Sequence, residues 1–384
     1  MSMPKRIKLG LFTYGMASEL TGIGRYAREL SYALRRLDLP LDIVLLSPYP
    51  NSKLSWYRDF PVYPVPALKR LPSVMVRGHR ILAQASIRLG LDILHDPCGI
   101  APFLSTVRKH KKVVTIHDAI PVVHPELQPL ATKLVYHSLL RWAPWSSNAI
   151  ITISNHAQQD LARTLNIPRN HIFVTPLGAA IPSIHKLSHL KSILPEKLHD
   201  LSISNPYFLW VGGNSPRKNL NRVLAAFESL RLDIPAVQLI LVGPQPARAT
   251  SWPFGVRHVG YVRQSILELL YLGAQALVYP SLYEGFGVPI VEAMAHGTPV
   301  ITSNCSSMPE VSGHAALIVD PTNVADIKAA MAQCLDVQTH DEFGLRGRMR
   351  VRQFQWENTA IQTFRIYEKL LSSQSGQPSG RGVS

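Results

Sequence analysis

The sequence predicts an α/β protein built from two doubly wound domains. Its 384 residues exceed one average domain and suit two of about 180 residues each. Short apolar runs of strand length alternate with amphipathic stretches of helical period along the whole chain. The alternation fades once, over 181–206, into Pro, Ser, His and Lys, the composition of an inter-domain connection.

In the first domain, expected over 1–180, residues 8–13 read as a strand and 24–36 as an amphipathic helix. Residues 41–46, 93–95, 113–116, 149–153 and 172–174 are further buried strands. Ser154 is a plausible N-cap for a helix over 155–164. The second domain, 207–355, opens with a strand at 207–211 and a helix at 220–230. Strands at 237–242, 256–259, 276–279, 299–302 and 316–319 alternate with helices at 264–272, 290–295 and 324–335. A long amphipathic helix at 356–371 follows, and the Ser/Gly-rich stretch to 384 reads as disordered.

Forty-six per cent apolar residues is enough for two cores. Cys98, Cys305 and Cys334 are far apart, so they suggest neither a disulfide framework nor a metal site, and a reducing compartment is the default. The first eleven residues lack the apolar run of a signal peptide, and no apolar stretch is long enough to span a membrane. The expected location is cytoplasmic. The net charge of +15 is lopsided: residues 1–185 hold 22 Lys/Arg against 10 Asp/Glu, and 186–384 hold 18 against 15. Clusters at Arg35-Arg36, Lys69-Arg70, Arg77 to Arg80 and Arg108 to Lys112 account for much of it. An anionic membrane face, a lipid-diphosphate acceptor or a solvated basic surface would each explain this. Nucleic acid is the least favoured partner, because no base-binding motif accompanies the charge.

The chemistry concentrates in Tyr283-Glu284-Gly285-Phe286-Gly287-Val288-Pro289, followed by Glu292. A buried strand, a glycine turn and a helix start form the layout that binds phosphates through backbone N–H groups and the helix dipole. Pro289 suits the first helical turn. Glu284 lies on the loop and Glu292 about one turn into the helix, so one carboxylate can meet sugar hydroxyls and the other a ribose. Gly212-Gly213-Asn214-Ser215-Pro216-Arg217-Lys218-Asn219 closes another strand and opens another helix. Arg217 and Lys218 there can neutralise a departing diphosphate without a metal. Gly22-Ile23-Gly24-Arg25-Tyr26 lies between the first strand and helix, where small residues let amides approach a phosphate. It lacks a full dinucleotide fingerprint, with Ala27 at the last position and no acid ending the second strand. His117-Asp118 follows a strand, where a histidine can bond a sugar hydroxyl or relay a proton from an acceptor. Ser154 and Asn155 follow another strand and are acceptor-contact candidates as well.

In order and spacing these four pieces resemble the retaining GT-B glycosyltransferases of family GT4, marked by two glutamates separated by seven residues. The resemblance implies two Rossmann-like domains facing across a cleft, with the carboxyl-terminal helix crossing back to the first. It assigns Glu284 and His117, with Asp118, to catalysis. It assigns Gly213, Arg217, Lys218, Val262, Phe286, Gly287, Val288 and Glu292 to the donor, and Gly22, Gly24, Arg25 and Tyr26 to a loop closing over its diphosphate. Retention of anomeric configuration and independence of metals and cofactors are implied too. The segments 283–289 and 303–310 look most like bacterial mannosyltransferases of polysaccharide assembly. GDP-mannose is therefore the favoured donor, ahead of UDP-glucose and UDP-N-acetylglucosamine. The favoured acceptor is a glycan or lipid-linked oligosaccharide at the inner membrane face. A sugar-nucleotide 2-epimerase of the same fold, or a non-enzymatic binder of nucleotide sugars or anionic surfaces, stays open as an alternative.

Overall fold

The computed structural model describes residues 6–17, 22–100, 110–124, 145–213, 215–244 and 251–372. The expected disordered tail at 373–384, Asn214 of the glycine loop, and Arg108 and Lys109 of the basic cluster lie outside the described residues. The chain divides into two compact units, Met1–Pro176 with Trp356–Ser384, and Leu177–Gln355.

In the first unit β1 (Ile7–Phe12), β2 (Leu41–Ser47), β3 (Val62–Pro64), β4 (Ile93–Asp96), β5 (Lys111–Thr115), β6 (Ala149–Thr152) and β7 (Ile172–Val174) form one sheet. Its order is β3-β2-β1-β4-β5-β6-β7, and every pairing is parallel. Helices α1 (Gly22–Arg36), α2 (Leu71–Leu89) and α3 (Asn155–Leu165) belong to it. Burial on both faces explains the near-continuous apolar runs of the central strands. The short β3 escaped the sequence reading because it is an edge strand of three residues ending in proline, which an edge tolerates. Ser154 caps α3 as expected, its Oγ accepting the Ala157 N–H at 3.0 Å.

The second unit has β8 (Tyr207–Val211), β9 (Gln238–Val242), β10 (Val256–Gly260), β11 (Ala276–Tyr279), β12 (Val300–Ser303) and β13 (Leu317–Val319). These strands pair in parallel in the order β10-β9-β8-β11-β12-β13. Its longer helices are α4 (Ile184–Asp200), α5 (Leu220–Asp233), α6 (Gln264–Gly273), α7 (Val288–His296), α8 (Val324–Gln333) and α9 (Val337–Val351). The core joins Phe208, Trp210 and Leu241 of the sheet to Phe227 of α5 and Met331 of α8.

The expected connection at 181–206 is corrected: most of it is α4, a 17-residue helix of the second unit. Ser183 caps it, accepting the Lys186 N–H at 3.2 Å, while Leu190 and Leu198 are buried. Helix α9 was also unforeseen. Its Gly344 and Gly347 lower helix propensity but permit close packing on α7, where a Cβ on Gly344 would stand 2.6 Å from the Gly297 carbonyl oxygen. The last helix, α10 (Trp356–Ser372), belongs to the first unit and packs on α1.

In each sheet the strand order reverses next to the first strand of its unit, between β1 and β4 and between β8 and β11. Loops leaving the carboxyl ends of such neighbours diverge to opposite faces and leave a crevice for a ligand.

Candidate active site

The switch point of the second unit brings together the two segments singled out in the sequence. After β8 the chain runs through Gly212 and Gly213 to a short helical turn, Pro216–Lys218; after β11 it runs through Pro280 to Gly287. The loops are tied by backbone, with the Leu282 N–H donating to the Arg217 carbonyl at 2.7 Å. Asn219, only 4 % exposed and left-handed at φ 60°, donates to the carbonyls of Pro280 (2.9 Å) and Pro321 (2.6 Å). One amide thereby joins the loops after β8, β11 and β13.

Within this frame Arg217 and Lys218 both reach Glu284. Arg217 Nη1 lies 2.5 Å from Glu284 Oε2, and Lys218 Nζ lies 2.6 Å from Oε1. Arg217 Nη1 also donates to the Tyr283 carbonyl at 3.1 Å. Lys218 Nζ donates to the Tyr279 hydroxyl and stands 4.6 Å from the centre of that ring. Burial pushes the Glu284 carboxyl up, but Lys218 and Arg217 outweigh it and hold the group below its ordinary value, as an anion. Burial likewise pulls the Lys218 ammonium down, opposed by Glu284. The backbone of Glu284 is fixed from β12's far end: Ser306 and Ser307 hydroxyls donate to its carbonyl at 2.7 and 2.9 Å, and its N–H donates to Ser306 Oγ at 3.1 Å.

Gly287 starts α7 at φ 95°, a conformation that L side chains avoid, and Pro289 occupies the first turn as expected. Phe286 is buried and packs edge-on against Phe354 at 5.5 Å. Val288 opens the helix, half-buried. Glu292, the fifth residue of α7, accepts a 3.0 Å hydrogen bond from the Tyr271 hydroxyl of α6. Its carbonyl accepts from His296 Nδ1 at 2.8 Å, so the carboxylate sits on a braced turn. Val262 lies half-buried in the turn from β10 to α6. Gly213 has nothing within 4 Å of where a Cβ would stand.

The first unit holds the other candidates. His117 follows β5, and its Nε2 donates to the Pro97 carbonyl at 3.0 Å, because a carbonyl can only accept. Pro97 is held by the turn after β4, where the buried Asp96 carboxylate accepts the N–H groups of Cys98 (2.9 Å) and Ile100 (2.7 Å). Burial lowers the imidazole to about 4, with the Pro97 bond acting in the opposite direction. At neutral pH the ring is therefore uncharged, with its proton on Nε2 and a lone pair on Nδ1. That makes Nδ1 an acceptor suited to a sugar or acceptor hydroxyl. Asp118 accepts the Ile120 N–H at 3.1 Å, a capping bond to the next turn.

Residues 22–26 need a partial correction in placement. The helix expected from Gly24 starts two residues earlier, so Gly22 and Ile23, expected before it, form its first turn with Gly24, Arg25 and Tyr26. Tyr26 is a core residue, 1 % exposed, with its hydroxyl 3.1 Å from Thr115 Oγ1 and its ring edge-on to His117 at 5.0 Å. In the same motif Gly22 is exposed, Gly24 buried and Arg25 half-buried. The hydrogen-bonded chain continues inward: Thr115 Oγ1 lies 2.8 Å from His95 Nε2, and His95 Nδ1 lies 2.6 Å from the Tyr367 hydroxyl of α10. Burial lowers His95 to about 3, with His117 adding to the shift.

Both histidines resist protonation in the folded state while the unfolded chain takes up a proton near 6.5. Their contribution to stability is complete above pH 6.5 and is lost as pH falls, through about 4 for His117 and about 3 for His95. The denaturant midpoint of the first unit should therefore drop steadily between pH 6.5 and 4, and less so in His95→Gln. An acid dependence identical in both proteins would contradict this assignment.

Sequence reasoning missed Tyr279, Asn219, Ser306 and Ser307 as site residues. The signal available for them was position: Tyr279 ends β11, Ser306 and Ser307 follow β12, and Asn219 opens the helix after β8, all at the carboxyl ends of strands or on the loops beyond them, where α/β ligands bind.

Comparison with known proteins gives the same class. Residues 20–180 match the model for Glycosyltransferase Family 4, and residues 199–350 match that for Glycosyl transferases group 1. Two solved structures share the architecture. Sucrose-phosphate synthase from Thermosynechococcus elongatus superposes with a TM-score of 0.73 at 22% identity, over 96% of this chain and 100% of that one. Anabaena HepE, in complex with UDP and glucose, gives 0.73 at 16% identity, over 95% and 100%. Two parallel, doubly wound units of this topology, with paired cations and a carboxylate at one switch point, define a GT-B glycosyltransferase. The O-antigen chain mannosyltransferase B of Escherichia coli is 30% identical over 91% of this chain and 97% of its own. An MMP alpha-(1->4)-mannosyltransferase of Mycolicibacterium hassiacum is 24% identical over 95% and 99%. The chain belongs to glycosyltransferase family 4.

Proposed function

We propose that the protein transfers mannose from a nucleoside diphosphate sugar, GDP-mannose foremost, to a hydroxyl of a glycan or lipid-linked acceptor with retention of configuration. The observation that carries this is the convergence of Arg217, Lys218 and Glu284 at the switch point of the second sheet. Two fixed cations meet the charge that develops on a departing diphosphate, and they do so without a metal. Glu284 is positioned to bond the sugar and to favour positive charge at its anomeric carbon. Glu292, braced by Tyr271, takes the ribose. Backbone N–H groups of Phe286, Gly287 and Val288 at the start of α7 take sugar and phosphate. Gly213 and Val262, on the loops leaving β8 and β10, complete the donor set. The choice of mannose draws on the named activities of the two mannosyltransferase relatives.

For the acceptor, His117 Nδ1 is the group that accepts a hydroxyl's proton or hydrogen bond, with Asp118 holding the following turn. Retention then follows a front-face course in which the leaving phosphate helps to deprotonate the acceptor. A lipid-linked acceptor at the inner membrane face fits α2, a 19-residue helix without an acidic side chain. Its exposed residues include Arg77, Arg80 and Arg88 alongside Val76 and Ile87, a mixture suited to anionic headgroups. Among the described residues no helix is long and apolar enough to cross a membrane, so contact would be peripheral.

The test is a thermal-shift panel of GDP, UDP, ADP, TDP and their sugars, with and without EDTA. A ligand at a hundred times its dissociation constant adds roughly 2.7 kcal/mol of stability. The expected result is a shift selective for guanine nucleotides, unaffected by EDTA and absent in Glu292→Ala. A uracil-selective shift would replace mannose by another hexose, and loss of binding in EDTA would refute metal independence.

A further inference from the structure

The two cations that suit a diphosphate are already paired in this structure, and with one carboxylate. Glu284 contacts Arg217 at 2.5 Å and Lys218 at 2.6 Å through separate oxygens, and all three side chains are largely buried. The pairing is built in. Ser306 and Ser307 fix the Glu284 backbone, Asn219 locks the loop that carries the cations, and Tyr279 holds the Lys218 ammonium from beneath. A diphosphate drawing on the same two cations must compete with this carboxylate.

We propose that Glu284 acts as an internal competitor for the diphosphate, so that the site discriminates between a sugar-loaded donor and the nucleoside diphosphate left after transfer. This rests on the reading of the site as a nucleotide-sugar site. An intact donor brings hydroxyls that donate to the Glu284 carboxylate and draw it off the cations. The nucleoside diphosphate has lost the sugar's hydroxyls, and its ribose hydroxyls go to Glu292, so it meets the Glu284 carboxylate at full strength. Transfer of the sugar thus returns Glu284 to Arg217 and Lys218 and weakens the hold on the product. Apparent affinity falls by the fraction of molecules whose cations are available, so a site paired ten times in eleven binds about tenfold more weakly than an unpaired one. That Glu284 remains ionised despite its burial keeps the competitor charged across the neutral range.

Calorimetric titration of GDP, UDP and GDP-mannose into wild type, Glu284→Gln, Lys218→Ala and the double variant tests the proposal. Glu284→Gln keeps the shape and removes the charge; it should bind the preferred nucleoside diphosphate about tenfold or more tighter, while transfer collapses. The same gain should be much smaller in the Lys218→Ala background, since pairing has lost a partner there. An unchanged or weaker affinity in Glu284→Gln overturns the proposal. So does an undiminished gain in the double variant, which would indicate repulsion at a distance without pairing. Should Glu284→Gln melt below assay temperature, Glu284→Asp, which withdraws the charge by one methylene, must show a gain in the same direction. Failure of every nucleotide to bind wild type and variant alike would defeat the underlying site reading, a result separate from either of these.

Discussion

Replacing Lys218 by alanine should lower kcat/KM for sugar transfer by about a thousandfold, the order seen when one preorganised stabiliser of developing charge is removed. The side chain stands between Glu284 and Tyr279, so its loss acts twice. It removes a fixed cation from the leaving diphosphate, and it leaves a buried carboxylate with Arg217 as its remaining cation. Breaking a buried pair costs about 3–5 kcal/mol where the partner charge is stranded, and Arg217 should hold the cost to the lower end. Lys218→Arg should rescue stability better than activity. A guanidinium keeps the charge, but its planar fork does not fit the point contact with Tyr279. Steady-state kinetics alongside thermal melts would separate the two effects. A Lys218→Ala protein with near wild-type kcat/KM would refute the role given to this residue.

The largest loss of stability is expected from Gly243→Ala. This residue follows β9 at φ 136°, and a Cβ there would stand 1.9 Å from the Gly212 carbonyl oxygen. Its N–H donates to the Gly260 carbonyl at 3.0 Å and its carbonyl accepts from His258 Nε2 at 2.8 Å, so the backbone is held on both sides and cannot step away. The clash is with the strand end that launches the loop carrying Arg217 and Lys218. A loss of more than about 4 kcal/mol is expected. A melting temperature about 10 °C lower, with donor binding abolished, is the observable form for a unit of this size. Gly213→Ala is the control: nothing lies within 4 Å of its added methyl group, and its stability should stay within about 0.5 kcal/mol of wild type. Equal melting of the two variants would show that the Gly212–Gly243 contact does not carry the loop.

Much of this architecture is legible in the chain because parallel strands buried on both faces spell continuous apolar runs. Residues 207–211 and 276–279 coincide with β8 and β11. Ser154 and Pro289 mark helix starts by capping chemistry that depends only on near neighbours. The segments that stayed hidden owe their structure to distant partners. Pro195 lies inside α4 and two glycines inside α9, so local propensity argues against both helices and packing overrides it. The site shows the same division. Glu284, Arg217 and Lys218 could be picked out singly, each from its own glycine loop. That the carboxylate pairs with both cations depends on β8 lying beside β11, a matter of strand order that neither segment encodes.

The helix that closes the described chain, α10, has a temporal consequence. Its Tyr367 completes the buried sequence of hydroxyls and imidazole that runs through His95 and Thr115 to Tyr26, inside a unit whose other elements all precede residue 177. On the ribosome, that unit is synthesised first but cannot finish its interior until residue 367 has emerged. The second unit, contiguous from 177 to 355, has all its parts available sooner. Domains generally mature in order of synthesis; this chain connectivity favours the inverse order, because His95 lacks its Tyr367 partner until nearly two hundred residues beyond 176 have been made.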